Sequence, residues 1–260
     1  MNASDRKDRL HFFVCPELRI VNPRNRKNLN YNIITVVEIE NKNLRSLLMA
    51  TKMCFRVNDE KVFDEEIVSF TYIKGMAFSQ KVKNALSFHA SIQQQFPTAR
   101  ILEISTKSSS ELGVALSAFN LMLDGRPVES VYHSSKVFTD GTCYDFLIDY
   151  SPRDAKRFIR ENGKGEVGLK CYRYNGEDIS LTPRTLFYDY IYIKGLMQVP
   201  ELSKSLSDYD IFTDIEFNEK KGVNCQARAC AIYSYMLRTG TVDKYMASMS
   251  DFEKIYSLRG

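Results

Sequence analysis

The sequence predicts an α+β protein in which a strand-rich N-terminal portion precedes a predominantly helical body. From Leu10 to Thr71 the apolar residues come in short β-branched and aromatic runs. After Gly113 they recur at helical spacing behind proline and capping signals. With 260 residues, 44% of them hydrophobic, the chain has the means to bury a sizeable core in one large or two small domains. The expected organisation is a flexible stretch over residues 1–9, a strand-rich portion over 10–112 holding one long helix, and a helical body over 113–260.

Strands are expected at Phe12 to Val14, Ile33 to Ile39, Phe55 to Val57 and Ile67 to Tyr72, with a short helix beginning near Asn43. Ser79 is read as the N-cap of a helix that Phe96-Pro97 stops near Gln95. His89 shares that helix's apolar side with Val82, Ala85 and Ile92, which suits a satisfied core histidine. Ile101 to Ser105 reads as a further strand. In the second half Gly125-Arg126-Pro127, Ser151-Pro152 and Thr182-Pro183 announce three helices, since proline suits the first helical position. Gly163 and Gly240 read as stops. Leu186 to Met197 is apolar nearly all round and belongs in the core, as helix or strand, and Asp251 to Leu258 reads as a closing helix.

Composition narrows the functional classes. Met1 to Leu10 is too polar for a signal peptide, and no apolar run is long enough to cross a bilayer. Six cysteines without C-x-x-C pairing suit a reduced, cytoplasmic protein, and with three histidines they argue against zinc. The net charge of +4 is mild, but basic residues gather at Arg24, Arg26 and Lys27, at Lys81 and Lys83, and at Arg153, Lys156, Arg157 and Arg160. A phosphate-rich partner is permitted by this, as is an ordinary solvated face.

Two constellations carry candidate chemistry. In Val128 to Phe138, read as one helix, Glu129, Tyr132, His133 and Lys136 fall at i, i+3, i+4 and i+7 and form one stripe opposite Val128, Val131 and Phe138. On spacing alone this is equally an amphipathic helix with a solvated face. In Phe212 to Asn218, alternation puts Asp214, Glu216 and Asn218 on one face of a strand. A Glu219-Lys220-Lys221-Gly222 turn follows, then Asn224 as N-cap of a helix carrying Arg228. Helix N-termini attract anions, so this reads as an anion site or as an edge strand with an ordinary cap. Asp214 followed by Glu219-Lys220-Lys221 also permits a metal-dependent nuclease, though the spacing is short for one.

Leu116-Ser117-Ala118-Phe119-Asn120, Asp124-Gly125-Arg126 and Glu129 to Phe138 resemble the signature of the NADAR superfamily, with Lys136-Val137-Phe138 where Lys-Phe is usual. Phe78 to Lys81, Leu112 to Asn120 and Phe212 to Arg228 are similar to the NADAR antitoxins encoded beside DarT toxins. The resemblance covers about residues 10 to 240. It implies a NADAR-type catalytic body and an N-glycosidase that removes ADP-ribose from the guanine amino group of DNA, undoing a DarT-type toxin, with no cofactor or metal. Glu129 and Lys136 match the pattern, whereas His133 stands where the superfamily has a different order.

That chemistry suits the residues. Opening of the ribose to an iminium lets a neutral lysine displace the guanine amine and form a Schiff base, so Lys136 is the expected nucleophile and Glu129 the expected proton shuttle. An ionised Glu129 nearby would raise the lysine pKa, so the scheme needs Glu129 protonated or held apart. Asp214 and Glu216 are expected at ribose hydroxyls or a water, and Asn120 at the ribose or guanine edge. Asn224 and Arg228 are expected at the diphosphate, Tyr132 or Phe119 stacked on a base, and Arg153 and Arg157 at the DNA backbone. A non-catalytic antitoxin that shields toxin or DNA remains the alternative, followed by the nuclease.

Overall fold

The computed structural model describes residues 47–163, 168–220 and 222–259. The expected flexible N-terminus, the strands at Phe12 to Val14 and Ile33 to Ile39, the helix near Asn43 and the Arg24 to Lys27 cluster lie outside these residues.

The N-terminal strands are longer than their apolar runs suggest. β1 (Leu47–Asn58) and β2 (Val62–Ile73) form one antiparallel hairpin paired from Leu47 with Ile73 to Asn58 with Val62. Asn58 Oδ1 ties its turn by accepting from the Glu60 and Lys61 amides. α1 (Phe78–Gln95) lies against this hairpin, burying Ala85, Phe88 and Ile92 on Cys54, Val68 and Phe70. It starts at Phe78 without a side-chain cap, so Ser79 is inside the helix and not its N-cap. The predicted stop before Phe96-Pro97 holds.

β3 (Ile101–Glu103) does not pair with the hairpin. Between them lies β9 (Ile211–Thr213), antiparallel to β1 and parallel to β3, in the sheet order β2-β1-β9-β3. A segment of the C-terminal half thus fills the sheet of the N-terminal half, and residues from Leu47 onward form one compact unit. Phe55, Leu102 and Phe212 join the main helical core, while Cys54 and Ile211 join the smaller core under α1, so the sheet is covered on both faces.

The second half is less uniformly helical than expected. α2 (Glu111–Ala115) is followed by β4 (Met122–Leu123) and β5 (Arg126–Pro127), a hairpin turned by Asp124 and Gly125 at φ 51° and 76°. α3 (Val128–Ser134) follows at once, so Pro127 precedes the helix and is not its first residue. β6 (Lys136–Phe138), β7 (Leu169–Tyr174) and β8 (Glu177–Ile179) make a second sheet. α4 (Pro152–Asn162) begins as predicted, with Pro152 at its first position and Ser151 Oγ accepting from the Asp154 amide. Pro183, by contrast, sits three residues before its helix.

α5 (Leu186–Met197) is helical and buried on nearly every side, which settles the ambiguity of that apolar run. It packs against α7 (Gln226–Arg238), whose Ala227, Ala229, Cys230 and Ala231 permit close approach. α6 (Pro200–Ser203) leads out of α5, and α8 (Val242–Met246) and α9 (Met249–Ser257) close the chain after Gly240 at φ 65°.

One buried ion pair joins the two central helices. Arg228 donates to both carboxylate oxygens of Asp189 at 3.1 and 3.0 Å and to the Val223 carbonyl at 2.9 Å, while the Tyr256 hydroxyl donates to Asp189 at 2.6 Å. Removing one partner strands the other charge in the core. Urea unfolding of Arg228→Ala is therefore expected to show a loss of about 3 to 5 kcal/mol, larger than that of the double variant Arg228→Met with Asp189→Leu. A loss under about 1 kcal/mol in the single variant would show that the pair does not hold the helices.

Candidate active site

α3 needs no side-chain cap because its first free amides find loop carbonyls: Val128 donates to Leu121 at 2.9 Å and Glu129 to Ala118 at 3.0 Å. This places the Glu129 side chain beside the loop that carries Phe119. The helix is buried all round from Val128 to His133, so it has no solvated polar face. It ends at Ser134 because the Ser134 and Ser135 hydroxyls both donate back to the Val131 carbonyl, competing with continued helix. Lys136 therefore opens strand β6 and does not ride the helix with Glu129, although both reach the same cavity.

That cavity has a volume of about 410 Å³ and brings together Phe119, Glu129, Tyr132, His133, Lys136 and Lys156 with Tyr188, Asp214, Glu216, Asn224 and Gln226. The strand leading to Asp214 is shorter than its alternation suggests. It stops at Thr213 because Asp214 Oδ1 accepts from the Glu216 and Phe217 amides, folding the chain into a turn. The other Asp214 oxygen accepts from Gln226 Nε2 at 3.0 Å, and Gln226 Oε1 accepts from the Ala118 amide at 2.8 Å. Glu103 lies beneath, accepting from Ser105, Thr213 and the Ile215 amide. His89 Nε2 meets Thr213 Oγ1 at 2.8 Å, and burial holds its pKa down at about 4, as befits a neutral core histidine.

Burial drives three ionisable groups of the cavity apart. Loss of water around the Lys136 ammonium, reinforced by repulsion from Lys156, outweighs the pull of Glu129 and lowers the lysine from 10.5 to about 8. Its nitrogen lies 4.6 Å from the centre of the Tyr132 ring. For Glu129 burial opposes ionisation, but His133 Nε2 at 3.3 Å and Lys156 Nζ at 3.1 Å from the same oxygen outweigh it, and its pKa falls to about 2. Glu129 is an anion here, its charge absorbed by groups other than Lys136. Asp214 moves the opposite way, burial and the neighbouring Glu103 charge raising it to about 7. His133 is held neutral by burial, and its Nδ1 is buried without a hydrogen-bond partner among the described residues.

Other expected site residues fall elsewhere or act differently. Asn224 does not cap α7; Cys225 occupies that position, and Asn224 donates to the Tyr132 hydroxyl at 2.6 Å, which also meets the Tyr172 hydroxyl at 3.0 Å. Arg228 is fully engaged with Asp189 and Val223 and does not line the cavity. Asn120 donates to the Val114 carbonyl and lines an adjoining hollow with Arg153 and Arg157, which meets the cavity at Phe119. Glu216 pairs with Lys81 at 2.9 Å on the cavity rim. Glu219 accepts from the Met53 amide at 2.9 Å. Sequence reading missed Gln226, which no spacing rule connects to Ala118, and took Lys156 for part of a surface basic cluster.

The opposed charges around Lys136 make a signed prediction. Titration of Lys136 by NMR should show a lower pKa in Glu129→Gln and a higher one in Lys156→Ala. Shifts in the same direction would contradict this arrangement.

Among the described residues no helix is long and apolar enough to cross a membrane, and no group of His, Cys, Asp and Glu is placed to hold a metal ion. No curated protein matches the chain. A family model described as the DarT1-associated NADAR antitoxin matches residues 50–259, which takes in both constellations and every element that lines the cavity. The chain belongs to the family of DarT1-associated NADAR antitoxins.

Proposed function

We propose that this antitoxin is an N-glycosidase that hydrolyses ADP-ribose from the guanine amino group of DNA, with Lys136 as nucleophile. The observation that carries the reading is the lysine itself, half-buried in a cavity that it shares with two carboxyl groups of opposite character. With a pKa of about 8, roughly one Lys136 in ten is neutral at pH 7, against about one in 2,500 for a free lysine. The separation of Glu129 and Asp214 supports different roles for them: the group held near 7 carries the proton, and the group held near 2 supplies fixed negative charge. This moves the proton shuttle from Glu129, where the sequence suggested it, to Asp214.

Asp214 gives its proton to the ribose ring oxygen as the C1′–O bond breaks, leaving C1′ doubly bonded to the guanine nitrogen as an iminium. The neutral Lys136 amine adds to C1′, and a proton passes from it to the guanine nitrogen. Guanine then departs with its amine restored, while C1′ stays on Lys136 as a Schiff base. Water adds at C1′, one of its protons passing to the Lys136 nitrogen and the other to the Asp214 carboxylate as the C1′–N bond breaks; Lys136 leaves as the neutral amine, and the aldehyde of ADP-ribose recloses on its own hydroxyl. The anionic Glu129 stabilises the cations at C1′, and the general acid help from Asp214 is worth about 10²- to 10⁴-fold. Phe119 offers a ring face to a base, whereas Tyr132, packed among Tyr172, Phe187 and Tyr188 beneath the Lys136 ammonium, does not take the stacking role expected of it; Glu216 and Asn224 offer polar contacts to the ribose.

Incubation of an oligonucleotide bearing ADP-ribosylated guanine, with chelator present, should release ADP-ribose and leave the strand intact. Strand cleavage dependent on magnesium would favour the nuclease, and binding without turnover the shielding antitoxin. Borohydride should trap a covalent adduct that Lys136→Ala loses; an undiminished adduct in that variant rejects Lys136. Because Lys136 must lose its proton and Asp214 keep its own, kcat/KM should be bell-shaped with its maximum between about pH 7 and 8. A rate climbing steadily to pH 10 would remove Asp214 from the acid role.

A further inference from the structure

The cavity holds a buried anion whose counter-charge is tethered outside. The Glu129 side chain is only 8% exposed, yet the Lys156 ammonium paired with it belongs to a side chain 60% exposed on another helix, α4. Lys156 Nζ also lies 5.5 Å from the centre of the Phe119 ring, where the cavity meets the adjoining hollow. An ammonium has three donors, and Glu129 is the hydrogen-bonded ion partner of this one. Arg228, the cation that spacing assigned to an anion, is locked on Asp189 and Val223. Among the described residues, the cations that line the cavity are Lys136 and Lys156, with His133 held neutral. If Lys136 attacks C1′, it is not available to a phosphate.

We propose that Lys156 recognises the diphosphate of the bound ADP-ribosyl group and exchanges Glu129 for it when substrate enters. This rests on the glycosidase reading and adds a sequence of events to it. In the empty site Lys156 neutralises Glu129, which makes burial of that carboxylate tolerable. An arriving diphosphate offers a second anion at the mouth, and the long, exposed lysine swings to it without backbone movement. Glu129 then faces C1′ with its charge unmasked as the iminium forms. Glu129 and the ligand thus compete for one ammonium.

Competition is measurable by calorimetric titration with two probes, ADP-ribose and adenosine, on the full chain. Lys156→Met should weaken ADP-ribose about 10- to 100-fold and leave adenosine within about twofold. Lys156→Arg should restore most of the ADP-ribose affinity. Glu129→Gln should tighten ADP-ribose, because Lys156 is released to the ligand, and should tighten it much less when Lys156→Met is already present. Equal tightening by Glu129→Gln in both backgrounds, or equal weakening of both probes by Lys156→Met, would overturn the exchange while leaving the glycosidase reading intact. Failure of the unaltered protein to bind ADP-ribose would sink both.

Discussion

The cavity depends on a single side-chain amide. Gln226, the first residue of α7, accepts from Ala118 and donates to Asp214, so it joins the loop that carries Phe119 to the turn that follows β9. The Ala118 carbonyl in turn receives the Glu129 amide, which sets the first turn of α3. The positions of Phe119, Glu129 and Asp214 therefore trace to one buried glutamine held by both of its polar atoms. Behind it the Arg228–Asp189 pair secures the same helix to α5.

What this framework supports is a distribution of charge that water would erase. A lysine and two carboxylates dissolved at these separations would keep pKa values near their ordinary ones, because solvent would screen each from the others. Burial acts on all three, and the partners decide the outcome: two donors make Glu129 a firm anion, a second carboxylate helps raise Asp214 to about 7, and Lys136, lacking a directly paired carboxylate among the described residues, falls to about 8. The same desolvation thus leaves one carboxyl group ionised, raises the other and lowers the lysine.

The class of the fold was legible in the sequence, as were most of the helices and their stops, though of the start signals only Ser151-Pro152 stands where its residue types put it. Ser151-Pro152 and Gly240 do what their residue types suggest, and Leu186 to Met197 is core. Residue types at the site were legible too, but their local geometry was not. The run from Glu129 to Lys136 has a helical period that the chain does not follow, because Ser134 and Ser135 turn their hydroxyls onto Val131. Asp214 alternates like a strand residue and instead accepts two amides of its own turn. In both places a short polar side chain competes with the backbone, a local effect that apolar periodicity does not register. The partners of Glu129 and Asp214 lie far along the chain, so Lys156, Gln226 and Glu103 became visible only in three dimensions.

The placement of β9 has a consequence for the making of the protein. β1, β2 and β3 leave the ribosome early, yet the gap between β1 and β3 is filled only by Ile211–Thr213, more than a hundred residues after Glu103. Until then two strand edges lie unpaired, and the hairpin offers a template to any extended segment that meets it. Closure of the sheet is a long-range event that fixes Asp214 in the same stroke, and such non-local pairing is intrinsically slow. The newborn chain is therefore exposed to mispairing until Ile211–Thr213 has emerged, and only then is Asp214 brought into place.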